Sequence, residues 1–385
     1  MTHPTPTASL NKFKLAKFTL AALKLGTAAL PAVTAATLLQ TAHAHEGDGG
    51  NVTYATDHAP IGVMADHRHK KGEWMVSYRY MHMAMDGNRD GTDRLSPEEI
   101  ATTAPNPFFG APMQPPTLRV VPTDMSMGMH MAGLMYGLSD RVTLMAMGTF
   151  VTKEMDHITF QGPMGADRLG TFTTRTTGVG DTTLGAIIGL DNGRKDHRQI
   201  NLGVAFSLPT GSITETDQIL TPMGTTPSPR LPYPMQLGSG SFDVKPSATA
   251  RTRLGKISVG AQASAVIRLN QNDESYAFGD GYEATAWLAV EPQPWISVSG
   301  RLRGATVAPI KGQDPLIIAP VQTADPLNQG GDTIEALGGI NLAGSRGWLK
   351  GHRLAIEVGL PLYRNLNGPQ LETDLTLTVG WQKAF

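Results

Sequence analysis

From Asp374 onward, polar and apolar side chains alternate. Leu375, Leu377, Val379, Trp381 and Phe385 hold one parity, and Asp374, Thr376, Thr378, Gly380, Gln382 and Ala384 hold the other. A period of two means a β-strand with one greasy face and one wet face. The run from Leu371 to Phe385 is long enough to cross a bilayer at a tilt. Eleven further segments alternate in the same way. The pattern predicts strands over 72–84, 124–136, 140–153, 177–190, 197–208, 243–254, 256–269, 281–291, 294–306, 332–343, 351–363 and 371–385.

The links between these segments decide the architecture. Strands two and three, four and five, six and seven, eight and nine, and ten and eleven are joined by short turns, such as Gly255 or Pro292-Gln293. The interleaved links, 85–123, 154–176, 209–242, 270–280, 307–331 and 364–370, are mostly long. Short and long links alternating along an even number of antiparallel strands predict an all-β transmembrane barrel of about 12 strands, with tight periplasmic turns and long outer loops. The faces agree. Ile200, Leu202, Val204, Phe206 and Leu208 form an apolar series, with Asn201 and Ser207 opposite; Leu354, Ile356, Val358 and Leu360 form another, with Arg353 and Glu357 opposite. Trp74, Tyr78, Tyr80, Tyr136, Trp295 and Trp381 lie where interfacial girdles are expected.

Composition narrows the picture further. With 43 glycines, 27 prolines and 40 % hydrophobic residues, the chain suits many short strands and turns. The formal net charge of −1 gives no electrostatic case for nucleic-acid binding, and the absence of cysteine excludes disulfides and thiolate metal sites. Lys12, Lys14, Lys17 and Lys24 precede an uncharged, mostly apolar run from Leu25 to Leu39, followed by Ala42-His43-Ala44. That is the pattern of an export signal cleaved after Ala44. The predicted organisation is a signal peptide over 1–44, a periplasmic segment over 45–71 that can tuck into the barrel as a partial plug, and the barrel over 72–385. The predicted location is the outer membrane of a Gram-negative bacterium.

Three glycine-rich stretches stand out: Gly178-Val179-Gly180-Asp181 with Leu184-Gly185, Ser207-Leu208-Pro209-Thr210-Gly211, and Gln236-Leu237-Gly238-Ser239-Gly240-Ser241-Phe242-Asp243. On these the chain resembles the outer-membrane barrel family named for the meta-cleavage pathway of phenol degradation. The resemblance implies a transporter. The closing strand with terminal Phe385 resembles the signal read by the outer-membrane barrel insertion machinery, the expected partner besides membrane lipid and a small solute.

Inward parities collect charge, including Arg79, Arg251, Arg253, Arg268, Arg301, Arg303, Glu283, Glu335 and Glu357. Charges in an interior must be paired or wetted, and twelve strands leave a partly filled lumen with a narrow polar passage. Arg251, Arg253, Arg301 and Arg303 are candidates for a cationic stripe favouring anionic or polar solutes. Thirteen of the 18 methionines lie between Met75 and Met155. Met81, Met83 and Met85 share the inward parity of Arg79, whereas the side taken by Met125, Met127, Met129 and Met131 is not fixed by the pattern. With His67 and His69, and with His45, His58 and His82 in the same region, Met81, Met83 and Met85 form a candidate copper site, since thioether and imidazole are soft to borderline ligands. The competing reading is that methionine simply fills irregular space.

The leading function is therefore passage of a small solute through an outer-membrane channel. The alternative is a copper-handling outer-membrane protein. An outer-membrane hydrolase ranks third, because the chain has neither a Gly-x-Ser-x-Gly elbow nor a His-Glu-x-x-His pair. No enzymatic activity and no resident cofactor other than copper are expected.

Overall fold

The computed structural model describes residues 54–191 and 198–385. The expected signal peptide and His45 lie outside the described residues. The strands are β1 (Trp74–Gly91), β2 (Asp93–Leu95), β3 (Val120–Ser139), β4 (Val142–Phe160), β5 (Arg168–Val179), β6 (Thr182–Gly189), β7 (Arg198–Leu208) and β8 (Asp243–Leu254). They continue as β9 (Ile257–Arg268), β10 (Tyr276–Ala277), β11 (Gly281–Gln293), β12 (Ile296–Val307), β13 (Lys311–Gly312), β14 (Gly331–Ala343) and β15 (His352–Ala384). One short helix, α1 (Pro97–Thr103), sits in the first long loop behind a Ser96–Glu99 capping box.

The ring runs β1-β3-β4-β6-β7-β8-β9-β11-β12-β14-β15 and closes by pairing β15 with β1. Every pairing is antiparallel, which an odd ring of single strands cannot satisfy. β15 resolves this by turning back at Gly368, where φ is +72°. Its first arm pairs with β14, from Arg353 opposite Ala343 to Leu366 opposite Gly331. Its second arm pairs with β1, from Leu371 opposite Asn88 to Ala384 opposite Met75. β5 and β6 lie end to end along β4 and make one crossing between them. With β5 and β6 taken together and β15 taken as two arms, the wall is crossed twelve times, as the alternation of links predicts.

Burial along the wall follows the pleat. In β7, Ile200, Leu202, Val204 and Phe206 are exposed, while Asn201, Gly203, Ala205 and Ser207 are buried. In β15, Leu354, Ile356 and Val358 are exposed around buried Arg353, Ala355 and Glu357. The exposed apolar series from neighbouring strands merge into one outward band, rimmed by exposed Trp74, Trp295 and Trp381. Such a surface is stable against lipid tails and costly in water.

Two of the long links are shorter than the sequence reading expects. β1 continues to Gly91 and β3 begins at Val120, and the loop expected over 154–176 shrinks because β4 runs to Phe160 and β5 starts at Arg168. In these extensions the ladder persists, but the packed loops cover residues of both parities, such as Val120, Val121, Ile158 and Phe160, so the alternation that marks a strand disappears. Cross-strand polar contacts hold these extensions, including Glu154 with Arg175 and Asp156 with Thr173.

The long loops gather at the end opposite the two rim residues Trp74 and Phe385, whose backbones bond to each other. Tyr233, Tyr276, Ile310, Ile317, Val321 and Ala324 pack there with Val120 into an apolar core. Arg119 is fully buried beneath them, donating to the carbonyls of Ala101, Gln161, Gly162 and Gly165.

Candidate site in the barrel interior

The inward faces of β11, β12, β14 and β15 carry an ion-pair ladder. Arg301 makes a bidentate pair with Glu357, at 2.9 Å and 2.8 Å, with both side chains buried. Arg303 lies between Glu283 at 2.7 Å and Glu335 at 2.8 Å. Arg268 pairs with Asp243, and Arg253 pairs with Glu291 at 3.0 Å while its guanidinium stacks on Tyr54. Arg251 donates to Gln199 and to the carbonyl of Asp57. The expected cationic stripe is thus corrected. Arg253, Arg301 and Arg303 face inward but are met by carboxylates, and Arg251 is spent on an amide and a carbonyl. Pairing is what makes so many interior charges affordable.

Residues 54–73 run inside this wall. Ala55 bonds to the carbonyl of Pro294 at the short-turn end. Farther in, Ala59 and Val63 pack on Trp287, the Ala59 carbonyl accepts from Arg353, and the Gly62 amide donates to Glu357 at 3.0 Å. The apex is near Met64, whose carbonyl accepts from Gln262 at 2.7 Å and whose sulfur accepts from Arg79. The chain then returns. Arg68 pairs with Asp191 at 2.7 Å, the His69 amide donates to Thr143 at 2.9 Å, and the Lys71 amide donates to Asp140 at 3.1 Å, near the short turns where the segment entered. Asp66 closes the hairpin by accepting from the Ala59 amide at 2.9 Å and contacting His67 Nδ1 at 2.7 Å.

Titration in the hairpin follows its surroundings. Burial, with Arg353 nearby, holds His58 well below the usual imidazole range. Burial also lowers His69, against the opposing hydrogen bond from Glu73. For Asp66 burial works against ionisation, but the hydrogen bond with His67 and the positive charge of Arg353 overcome it and hold the carboxyl well below its usual range.

Facing the ladder, β1, β3 and β4 present methionine. Arg79 lies opposite Met131, Met81 opposite Met129, Met83 opposite Met127, and Met85 opposite Met125; Met135 lies opposite both Met75 and Met145. Directly opposed residues share a face, so the series Met125 to Met131, whose side the pattern left open, points inward. A second correction concerns the proposed copper set. His67 and His69 sit at the short-turn end, where a cavity of about 50 Å³ is lined by His67, Met64, Met75, Met131, Met135 and Met145, among others. Met81, Met83 and Met85 line the wall nearer the long loops, and Met85 packs with Met125, Met155, Leu231 and Met235. The five residues do not converge, because each step along a strand moves a side chain about 3.3 Å. His82 has the outward parity of Tyr80, on which it stacks.

The loop over 209–242 folds back toward that wall. Lys153 donates to the carbonyls of Pro234 and Gln236, and Thr176 donates to that of Met235. The three glycine-rich stretches meet at its base, where Asp181 accepts from the Gly211 amide at 3.0 Å and from the Ser239 amide and hydroxyl at 2.9 Å and 2.7 Å. Sequence reasoning placed His58 in the region of His67 but missed Asp66 as the partner of His67, and Trp287 as the anchor of the hairpin. Trp287 was within reach, since it shares the inward parity of Glu283.

A closed antiparallel ring, apolar outside and polar within, defines a transmembrane β-barrel. No protein-family model matches the chain, and no curated protein matches it. Among solved structures, an outer membrane channel from Pseudomonas putida F1 aligns with a TM-score of 0.53 at 17% identity, covering 82% of this chain and 97% of that one. The Pseudomonas putida toluene transporter TodX aligns with a TM-score of 0.39 at 10% identity, over 82% and 91% of the two chains. The beta domain of the Bordetella autotransporter BrkA gives 0.42 at 10% identity, over 82% and 100%. The first of these likenesses is one of fold, and the fold is that of outer-membrane barrels.

Proposed function

We propose that this chain is an outer-membrane channel of a Gram-negative bacterium, exported by its N-terminal leader, that passes a small solute with a mainly apolar surface. The observation that carries the reading is the hairpin of residues 54–73. It fills the short-turn end of the lumen, yet side-chain bonds and a small apolar contact with Trp287 hold it rather than a strand ladder. A segment held in this way can leave without opening the wall. The methionine face suits an apolar solute, and the ladder opposite keeps the passage wetted. The name of the aligned Pseudomonas channel and the resemblance to the meta-pathway barrel family support transport. Membrane lipid and the barrel insertion machinery complete the expected partners.

A covalent lock tests it. A Cβ built on Gly203 lies 3.7 Å from that of Ala65, within disulfide range, and the chain has no native cysteine. Ala65→Cys with Gly203→Cys, and Ser247→Ala to clear space, ties the hairpin to β7. The purified protein should conduct in planar bilayers, and the oxidised variant should conduct far less until reduced. Absence of conductance in the wild-type protein, or equal conductance with the lock open and shut, sinks the reading.

A further inference from the structure

Three imidazoles meet at the short-turn end of the lumen. The rings of His58 and His67 are 4.6 Å apart and nearly perpendicular, and those of His67 and His69 are 5.1 Å apart. His67 and His69 are buried, as is Asp66. Each buried ring points one nitrogen at a carboxylate. His67 Nδ1 lies 2.7 Å from Asp66, and His69 Nδ1 lies 3.3 Å from Glu73. The opposite nitrogens, His67 Nε2 and His69 Nε2, are buried without a hydrogen-bond partner among the described residues, and so is His58 Nδ1. Buried polar atoms are rarely left unpaired, and each such case calls for a cause. A carboxylate at Nδ1 keeps the proton there and leaves the Nε2 lone pair facing outward, the arrangement found behind metal-bound histidines.

The surroundings narrow the ion. One ligand atom from each of His58, Asp66 and His67 lies within 4.8 Å of the others. Asp66 already spends one oxygen on the Ala59 amide and the other on His67. It therefore orients a ring more than it offers a free ligand. The adjoining cavity of about 50 Å³ has room for an ion and is lined by the thioethers of Met64, Met75, Met131 and Met135. Arg353 and Arg251 add positive potential at His58, which penalises a divalent ion more than a monovalent one. Imidazole beside thioether is the chemistry of copper(I).

We propose that His58 and His67, oriented by Asp66 and backed by His69 and the thioethers of Met75 and Met135, bind one copper(I) ion inside the barrel. The site is not the set Met81, Met83 and Met85 with His67 and His69. It is also independent of the channel reading, because a protein that conducts without binding copper(I) overturns this inference alone.

The test is anaerobic titration of the detergent-purified full chain with copper(I) against a chromogenic chelator. The expected result is one tight equivalent, lost in His58→Gln/His67→Gln and weakened about 10–100-fold in Asp66→Asn. The outward-facing His82→Gln/His130→Gln and the wall variant Met81→Leu/Met83→Leu/Met85→Leu should bind as the parent does. Equal affinity in His58→Gln/His67→Gln overturns the site, and tighter binding of zinc than of copper(I) overturns the choice of ion. If a variant loses the heat-dependent gel shift of a folded barrel, X-ray absorption of the copper-loaded parent decides instead. Mixed imidazole and sulfur scattering supports the site, and scattering without imidazole overturns it.

Discussion

Asp181 holds Ser239 by two hydrogen bonds, 2.9 Å to the amide and 2.7 Å to the hydroxyl, across 58 residues of sequence. The same carboxylate takes the Gly211 amide at 3.0 Å, so both ends of the loop over 209–242 are fastened to one side chain at the junction of β5 and β6. Asp181→Ala leaves two amides unpaired, at a cost of about 1.5–3 kcal/mol for bonds to a charged acceptor. The ring itself does not depend on these bonds. Trypsin should therefore cut the variant's loop faster while the heat-dependent gel shift is retained. Unchanged cleavage would show that Lys153 and Thr176 hold the loop without help.

Gly62 lies where a β-carbon would collide with Arg301 and Glu357. Gly62→Val must lift the hairpin away from the ladder or split the buried pair. The cheaper response is to lift the hairpin, because separating a buried ion pair costs about 3–5 kcal/mol. Single-channel recordings of the variant should show a higher open fraction than the parent, with barrel stability nearly unchanged. A variant that stays closed would mean that Trp287 and Arg353 suffice to hold the segment.

Burial pushes Tyr233 up to about 12 and raises Tyr276 as well, the two rings being 4.9 Å apart in the core of the long loops. A phenol titrates near 10 when free, so the folded loops favour the protonated form. Their contribution to stability is complete below about pH 10 and is lost as pH rises through about 12. An alkaline titration followed by phenolate absorbance should show a late group of tyrosines, and protease cleavage of the loops should begin over the same interval. Tyr233→Phe should remove one late phenol, and a titration curve with no late group in the parent would contradict the packing.

The barrel was legible because lipid imposes its own alternation. The outward series of β7 and of the first arm of β15 were read from parity alone, as was the inward placement of Arg301, Arg303 and Glu357. Partners were not legible. Arg303 meets Glu335 because β12 and β14 pair in one register, and no local pattern encodes a register between segments. For the same reason four arginines of one parity looked like a stripe. The glycine-rich stretches were visible as motifs, but their meeting at Asp181 depends on a loop that folds inward. The hairpin of residues 54–73 has no periodicity, since its bonds go to side chains scattered over many strands.

The pairing of β1 with β15 joins Met75 to Ala384 and Gly91 to Leu366, segments separated by nearly the whole described chain. Contacts so remote in sequence form slowly. Until they form, the growing sheet has two bare margins of unpaired amides and carbonyls, which recruit neighbouring chains as readily as each other. Assembly of this protein is therefore governed by how long that seam stays unzipped, and whatever shelters the first and last strands during that interval sets the yield of finished barrels.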